Sequence, residues 1–290
     1  MGLLLPHIMF TTRMCLENHI TDSLISLGRL DFFITTKQFT DLMINFSLAH
    51  PDKDTSIGIR FYNDVIHTTI MGLINNNKHK NSNPNVNKLI SGEIISDTLY
   101  YKALGFNKID CMDIDPNRGG PTIIFDLNQN NIQQTVNKKY NLVIDAGIME
   151  HVFDIHNLML NITELVEDNG FIIHIVPSNN TLDHGFYQFS PTLFRDYYAA
   201  NKYKIISIML LELHQNKYAL PDALFTEKWD QFRIWDYDPY IAGKNSFGQL
   251  SDNIYYTMVC VQKTPNSLRD IVPQQYIFQA GSKILSPWRV

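Results

Sequence analysis

Cysteine is scarce in this chain of 290 residues: Cys15, Cys111 and Cys260 lie far apart and form no CxxC pair. That excludes a sequence-legible zinc framework and a disulfide scaffold, and free thiols fit a reducing compartment, so a cytoplasmic location is expected. Basic charge is equally thin. The net charge is -5 and the lysines and arginines are scattered, so the electrostatic footprint of a nucleic-acid binder is missing. No apolar run reaches membrane-spanning length. The opening MGLLLPHIMF has no basic leader, is broken by Pro6 and His7, and carries Pro6 where a myristoylation signal requires Ser or Thr. Neither DNA, RNA nor a membrane is an expected partner. Also absent is the GxGxxG fingerprint. The first strand is followed only by Gly28, and Gly119-Gly120 comes after the second, so no glycine cradle for a pyrophosphate is evident. A dinucleotide dehydrogenase is disfavoured; a cofactor with adenosine but no phosphate relaxes the requirement.

Apolar content is ordinary at 44%, enough for one large domain or a domain with a substantial insertion. Strand-length apolar runs occur at Ser23–Leu27, Ile109–Asp113, Thr122–Phe125, Leu142–Asp145, Phe171–Val176, Ile205–Leu211 and Ile254–Val261. Between several of them lie helical patterns. Ile155, Leu158, Met159, Ile162, Leu165 and Val166 recur at helix spacing and are closed by Asn169-Gly170, while Ser190-Pro191 is a helix start, with an N-cap followed by proline. The runs LVID and FIIHIV are nearly continuous, as in strands covered on both faces. An α/β fold with a mostly parallel sheet follows. Two segments break the rhythm. Asn75 to Lys88, NNNKHKNSNPNVNK, reads as an exposed loop, and His214 to Asn253, with Trp229, Trp235, Tyr237 and Tyr240, reads as an insertion between the last two strands serving as a lid or an oligomer contact.

In an open α/β sheet, ligands bind beyond the carboxyl ends of the strands. Asp113 ends KIDCMD and Asp126 ends TIIFD; an acid at such a place takes the ribose hydroxyls of a nucleotide cofactor, or else caps a helix or closes a turn. YNLVIDAGIMEHVFD, residues 140–154, ends its apolar run at Ala146-Gly147 and presents Glu150 and His151 together.

Taken in order, Asp113, FDLN at Phe125–Asn128, YNLVIDAGIMEHVFD and NGFIIHIVPSNN resemble class I S-adenosylmethionine-dependent methyltransferases over the central part of the chain. More narrowly, LGFNKIDCMDID, IIFDLNQ, LVIDAGIMEHVFD and HGFYQFSPTLFRDYY resemble a bacterial branch found among genes for surface glycans and other specialised products. The resemblance implies a Rossmann-like three-layer sandwich with a mostly parallel seven-stranded sheet. It implies a single domain over residues 1–290, with an insertion at 30–95 that contains the Asn-rich loop 75–88 and the aromatic insertion at 214–253. S-adenosyl-L-methionine is the implied cofactor, contacted by Gly28, Asp113, Asp126 and Asp145. Asp97 serves as a cofactor contact or an N-cap, with the cap preferred.

Such an enzyme holds an acceptor atom in line with an electrophilic methyl group and excludes water. A hydroxyl acceptor also needs a base, and the imidazole of His151, after the fourth strand, suits that task at neutral pH, with Glu150 in support. The alternative for His151 is a structural histidine bonded to a neighbouring loop. Asp145, Glu150 and Asp154 form a conceivable divalent-metal cluster, but spacing alone does not establish one and no metal is the preferred expectation. His184, Tyr187 and Gln188 are the expected contacts to a small-molecule or sugar acceptor, while Phe186 and Phe189 are expected to pack. Transfer to nitrogen is the nearest alternative, and a non-catalytic methyltransferase-like binding protein is the alternative from another class.

Overall fold

In a computed structural model, the structure describes residues 2–32, 34–35, 38–39, 41–42, 95–117, 122–213, 232–237 and 253–278. The Asn-rich stretch 75–88, Gly119-Gly120, Trp229 and Tyr240 lie outside the described residues.

The chain begins with β1 (Gly2–Leu3), α1 (Leu5–Glu17), β2 (Asp22–Leu27) and β3 (Asp31–Phe32). It continues with α2 (Asp97–Ala103), β4 (Phe106–Asp113), β5 (Ile123–Ile124), α3 (Ile132–Thr135) and β6 (Tyr140–Ala146). A single 3-10 turn, Met149–His151, leads into α4 (Ile155–Leu165), β7 (Val166–Asn179) and α5 (Pro191–Ala200). The described chain closes with β8 (Lys204–Leu213), β9 (Phe232–Asp236), β10 (Ile254–Gln262) and a 3-10 turn at Tyr276–Phe278.

Local chemistry explains several boundaries. Asp154 caps α4 by accepting from the Asn157 amide at 2.9 Å, and Ser190 caps α5 ahead of Pro191. The spacing that suggests a helix stop at Asn169-Gly170 is four residues late. Helix α4 ends at Leu165, and Asn169, at φ 65°, bends an already extended chain whose Asn169 amide and Gly170 carbonyl both bond to Lys263.

The main sheet has eight strands in the order β5-β4-β2-β6-β7-β10-β8-β9. From β5 to β7 all pairs are parallel; β10 lies antiparallel to β7 and β8, and β9 antiparallel to β8. Each strand expected from the sequence is present, but the count of seven is corrected to eight. The extra strand comes from within 214–253, where Phe232–Asp236 zips onto the outer edge of β8 from Leu213↔Phe232 to Met209↔Asp236. Its FRIWD sequence carries Arg233 and Asp236 on a largely exposed edge, so it lacks the apolar run that marks the inner strands. β1 and β3 form a separate two-stranded parallel sheet.

Alternate residues of the inner strands feed two cores, one on each face. Leu142, Ile144, Ile173 and Ile175 pack with α1 and α2, whereas Val143, Ile172 and Val176 pack with α4 and α5. The result is a three-layer arrangement with the sheet buried on both sides. From β2 the chain moves outward to β4 and β5 on one side, then returns to build β6 and β7 on the other. That reversal opens a crevice at the carboxyl ends of β2 and β6. Among the described residues no helix is long and apolar enough to cross a membrane.

Candidate active site at the carboxyl ends of the parallel strands

Strands β2, β4, β6 and β7 deliver their carboxyl ends to this crevice. β2 ends in Gly28, at φ 75°, whose amide donates to the Met112 carbonyl of β4 at 2.6 Å. A Cβ on residue 28 would sit 2.2 Å from Ile148 Cδ1, so glycine here both adopts the left-handed turn and admits the loop after β6. Beside it, Asp113 is half-buried. Its Oδ2 accepts from the Arg29 amide at 3.3 Å and its Oδ1 from the Asp115 amide at 3.1 Å. A carboxylate offers about four acceptor positions, so two backbone bonds orient Asp113 without exhausting it. Asp97 is the first residue of α2; the cap is Ser96, which accepts from the Leu99 amide at 3.1 Å, and Asp97 pairs with the Arg29 side chain at 3.3 Å.

Asp126 closes the turn after β5, its Oδ1 accepting from both the backbone and side-chain nitrogens of Asn128 at 2.9 Å. Asn128 Oδ1 in turn accepts from the Phe153 and Asp154 amides, at 3.1 and 3.0 Å. The acid after β5 is thereby tied to the loop after β6.

Asp145 sits differently from its place among the expected cofactor contacts. Its exposure is 0%, its Oδ1 accepts from the Met149 amide at 3.1 Å, and its Oδ2 meets His174 Nδ1 at 2.8 Å. A carboxylate only accepts, so Nδ1 donates and, in the tautomer this sets, His174 Nε2 accepts from the Tyr198 hydroxyl at 2.6 Å. Both oxygens are engaged inside the protein. The chain from Tyr198 through His174 to Asp145 therefore anchors the turn that carries Glu150 and His151, and presents no surface to a ligand.

At that turn the two motifs of the sequence meet. Glu150 is fully buried, and among the described residues neither of its carboxyl oxygens has a side-chain hydrogen-bond partner. His184 Nε2 lies 3.4 Å and His151 Nε2 3.9 Å from Glu150 Oε1, with the imidazole side chains 41% and 46% exposed. Burial, and secondarily the charge of Asp145, push the Glu150 carboxyl up to about 8. The two imidazole rings are 5.2 Å apart between centroids. Gly185 makes this approach possible: a Cβ there would lie 2.7 Å from the Glu150 carbonyl oxygen, and the next amide, Phe186, donates to that oxygen at 2.7 Å.

Tyr187 and Gln188 flank the cluster. The Tyr187 hydroxyl donates to the Phe153 carbonyl at 2.9 Å, and Gln188 Oε1 accepts from the Thr181 amide at 3.1 Å, so both brace the 181–189 loop. Phe189 packs into the core as expected, but Phe186 does not: it is exposed and stacks edge-on against exposed Phe153 at 5.7 Å. An aromatic lip thus borders Glu150, His151 and His184. Of the three carboxylates conceivable as a metal cluster, Asp145 is bonded to His174 and Asp154 caps α4; among the described residues only Glu150 belongs to a group of three ligand-type side chains, with His151 and His184.

Sequence reasoning missed the chain from Asp145 to Tyr198 and the pairing of Glu150 with His184. The first left a signal, a polar residue in each of two apolar runs that turn out to be register partners, Asp145↔His174. The second left none, because 33 residues and a whole βα unit separate the two side chains.

No family model matches the sequence, and no curated protein matches it. Among solved structures, TehB from Haemophilus influenzae aligns at 12% identity and TM-score 0.37, over 58% of this chain and 53% of its own. The N-methyltransferase NodS from Bradyrhizobium japonicum aligns at 10% and 0.34, over 57% of this chain and 79% of its own. An O-methyltransferase from a trans-AT PKS multienzyme of Brevibacillus brevis, in complex with S-adenosyl-L-homocysteine, aligns at 17% and 0.31, over 55% and 59%. This chain therefore spans little more than half the length of the first and third. Overlaps this loose do not carry function from one chain to another.

Proposed function

We propose that the chain is an S-adenosylmethionine-dependent methyltransferase whose acceptor is a small molecule or sugar, methylated on a hydroxyl. The observation that carries this is the convergence, at the switch point of the sheet, of Asp113 on one side and Glu150, His151 and His184 on the other. These are the positions at which the motifs resemble class I methyltransferases.

The residues fit the cofactor in part. Asp113, oriented by two backbone amides and half-exposed, is suited to accept from ribose hydroxyls, and Gly28 lets backbone approach at the end of β2. Asp126 belongs to the same rim through its turn, whereas Asp145 acts from inside by fixing the Met149–His151 turn. When bound, the cofactor supplies a sulfonium methyl that is already electrophilic, so the protein's task is positioning and exclusion of water.

On the acceptor side, His151 is the candidate base, held at the mouth of the crevice beside buried Glu150. His184 and the exposed lip of Phe153 and Phe186 offer a polar contact and an apolar wall, with Tyr187 and Gln188 setting the loop that presents them. A nitrogen acceptor is the alternative within the class, and a protein that binds without transferring methyl groups is the alternative outside it.

Calorimetry with S-adenosylmethionine and S-adenosylhomocysteine tests the reading; binding of neither favours the non-catalytic alternative. Asp113→Ala is expected to weaken cofactor binding by about 1.5 to 3 kcal/mol, or one to two decades, with folding intact. Unchanged affinity removes Asp113 from the cofactor site. His151→Ala is expected to lower turnover by roughly 10²- to 10⁴-fold while cofactor affinity holds, and near-normal turnover reduces His151 to a structural residue.

A further inference from the structure

We infer that Glu150, His151 and His184 form a binding site for one divalent transition-metal ion, with zinc as its best-matched occupant. The donor atoms of these three side chains all lie within 4.8 Å of one another, on two separate loops that the fold brings together. A zinc ion at about 2.0–2.1 Å from each ligand requires neighbouring ligand atoms roughly 3.3 Å apart. The Glu150–His184 edge, at 3.4 Å, already has that length, and the Glu150–His151 edge is 3.9 Å. The two imidazoles are partly exposed, so small rotations about their side-chain bonds close the remaining gap without disturbing the core.

An independent observation points to a ligand. The Glu150 carboxyl is fully buried, and both its oxygens lack a side-chain hydrogen-bond partner among the described residues. Buried polar groups are nearly always satisfied, and a carboxylate left in that state marks a place where something outside the protein chain completes it. A cation approached from the solvent side by two imidazoles answers that need. The Glu150 side chain is also held in place: Gly185 packs against its Cγ and carbonyl, and the Asp145 carboxylate grips the turn that bears it. Imidazole and carboxylate donors in this ratio favour zinc and its first-row neighbours over magnesium or calcium, which prefer all-oxygen shells.

Three protein ligands leave a coordination position for water or for the acceptor's oxygen. The metal site itself does not depend on the methyl-transfer reading. Only the coordination of an acceptor hydroxyl, whose proton then leaves more readily to solvent, rests on it. The Nε2 of His151 cannot hold an ion and a proton together, so in the ion-loaded protein His151 is a ligand and not the base, and the proton of a coordinated hydroxyl passes to solvent.

The test uses the full chain without a histidine tag, stripped with a chelator and titrated with zinc by calorimetry. One ion per chain is expected, and Glu150→Gln and His184→Gln are each expected to weaken binding by more than the roughly 10- to 100-fold that changes outside the ligand shell produce. Circular dichroism checks that both variants fold. Cobalt loaded into the wild type gives a readout free of any substitution, the intense visible absorption of four- or five-coordinate cobalt. Absence of zinc binding, zinc binding equal to wild type in Glu150→Gln, or only the pale spectrum of hydrated cobalt overturns the inference. Binding of S-adenosylmethionine to the metal-free protein is measured separately, so that loss of one proposal is distinguished from loss of the other.

Discussion

Five residues apart in the chain, Asp145 and Glu150 are both buried acids facing histidines, and they are built in opposite ways. Asp145 has an amide on one oxygen and His174 on the other, and His174 is in turn closed off by Tyr198. Glu150 has no hydrogen bond on either oxygen, and its two histidines reach outward into solvent. Both occupy the same low-dielectric layer at the top of the sheet, so the difference lies in satisfaction and not in depth. A satisfied buried network rigidifies its surroundings, while an unsatisfied one carries a desolvation cost. The first supports the turn on which the second stands.

The largest expected effect comes from breaking the satisfied member. Asp145→Ala leaves His174 Nδ1 and the Met149 amide without a partner in a fully buried site, and is expected to lower unfolding free energy by about 3–5 kcal/mol. Denaturant unfolding measures it. Tyr198→Phe, which strands only His174 Nε2, is expected to cost about 1–3 kcal/mol. A loss under 1 kcal/mol for Asp145→Ala shows that the chain is incidental and returns Asp145 to the list of ligand contacts.

How much of this was legible in the sequence follows the same division. The six inner strands were readable because LVID, FIIHIV and their neighbours are continuous apolar runs, whose pattern is set by burial on both faces, and the edge strand β5 was readable from TIIF. β9 was not, since FRIWD lies on the sheet edge, where burial imposes no pattern and only the hydrogen bonds to β8 define it. Individual site residues were legible for the same reason: Asp113, Glu150 and His151 follow directly on strand ends, and an open α/β sheet puts ligands there. Their partners were not. Asp154 and Glu150 stand four apart in the chain yet do unrelated work, one capping a helix, while Glu150 and His184 stand 34 positions apart and face each other. Proximity along the chain is a poor guide once a βα unit intervenes, and only strand order and the close approach at Gly185 bring the pair together.

The second prediction tests the unsatisfied member. In metal-free protein, Glu150→Met removes a buried carboxyl with no hydrogen bond and is expected to raise stability at neutral pH by about 1–3 kcal/mol while abolishing zinc binding. The sign can be checked against pH. The folded Glu150 carboxyl is pushed up to about 8, above the ordinary 4.5, so its protonated form is retained in the folded state after the unfolded chain has lost it. Its cost is absent below about pH 4.5 and grows as pH rises toward 8. The stability gap between variant and wild type should therefore widen over that interval. A variant that is less stable than wild type throughout shows that Glu150 is supported by contacts the hydrogen-bond pattern does not reveal.

The effect that is smallest at neutral pH sharpens the comparison by supplying a third buried group, half satisfied. His7, on α1, accepts from the Leu4 amide through Nδ1 at 3.2 Å, while its Nε2 is buried with no partner and its ring packs edge-on against Tyr256. Like Glu150 it has an orphaned polar atom. Unlike Glu150 it belongs to no group of three ligand-type side chains among the described residues, so the orphan is a structural cost and not a site. Burial pulls its pKa down to about 3 from 6.5. Between those values the unfolded chain binds a proton that the folded chain refuses, so stability is full above pH 6.5 and falls as pH drops toward 3. The limiting slope from this one group is about 1.4 kcal/mol per pH unit. Carboxylates also titrate in the range, so the measurement is the difference between wild type and His7→Asn, whose side-chain oxygen can still accept from Leu4 but does not ionise. The two unfolding curves should diverge below pH 6.5 and run parallel above it. Parallel behaviour at all pH values would mean that the folded His7 ring is protonated as readily as the unfolded one, and that an unpartnered buried nitrogen is no sign of strain in this fold. Orphaned oxygens alone would then not set Glu150 apart from other buried groups.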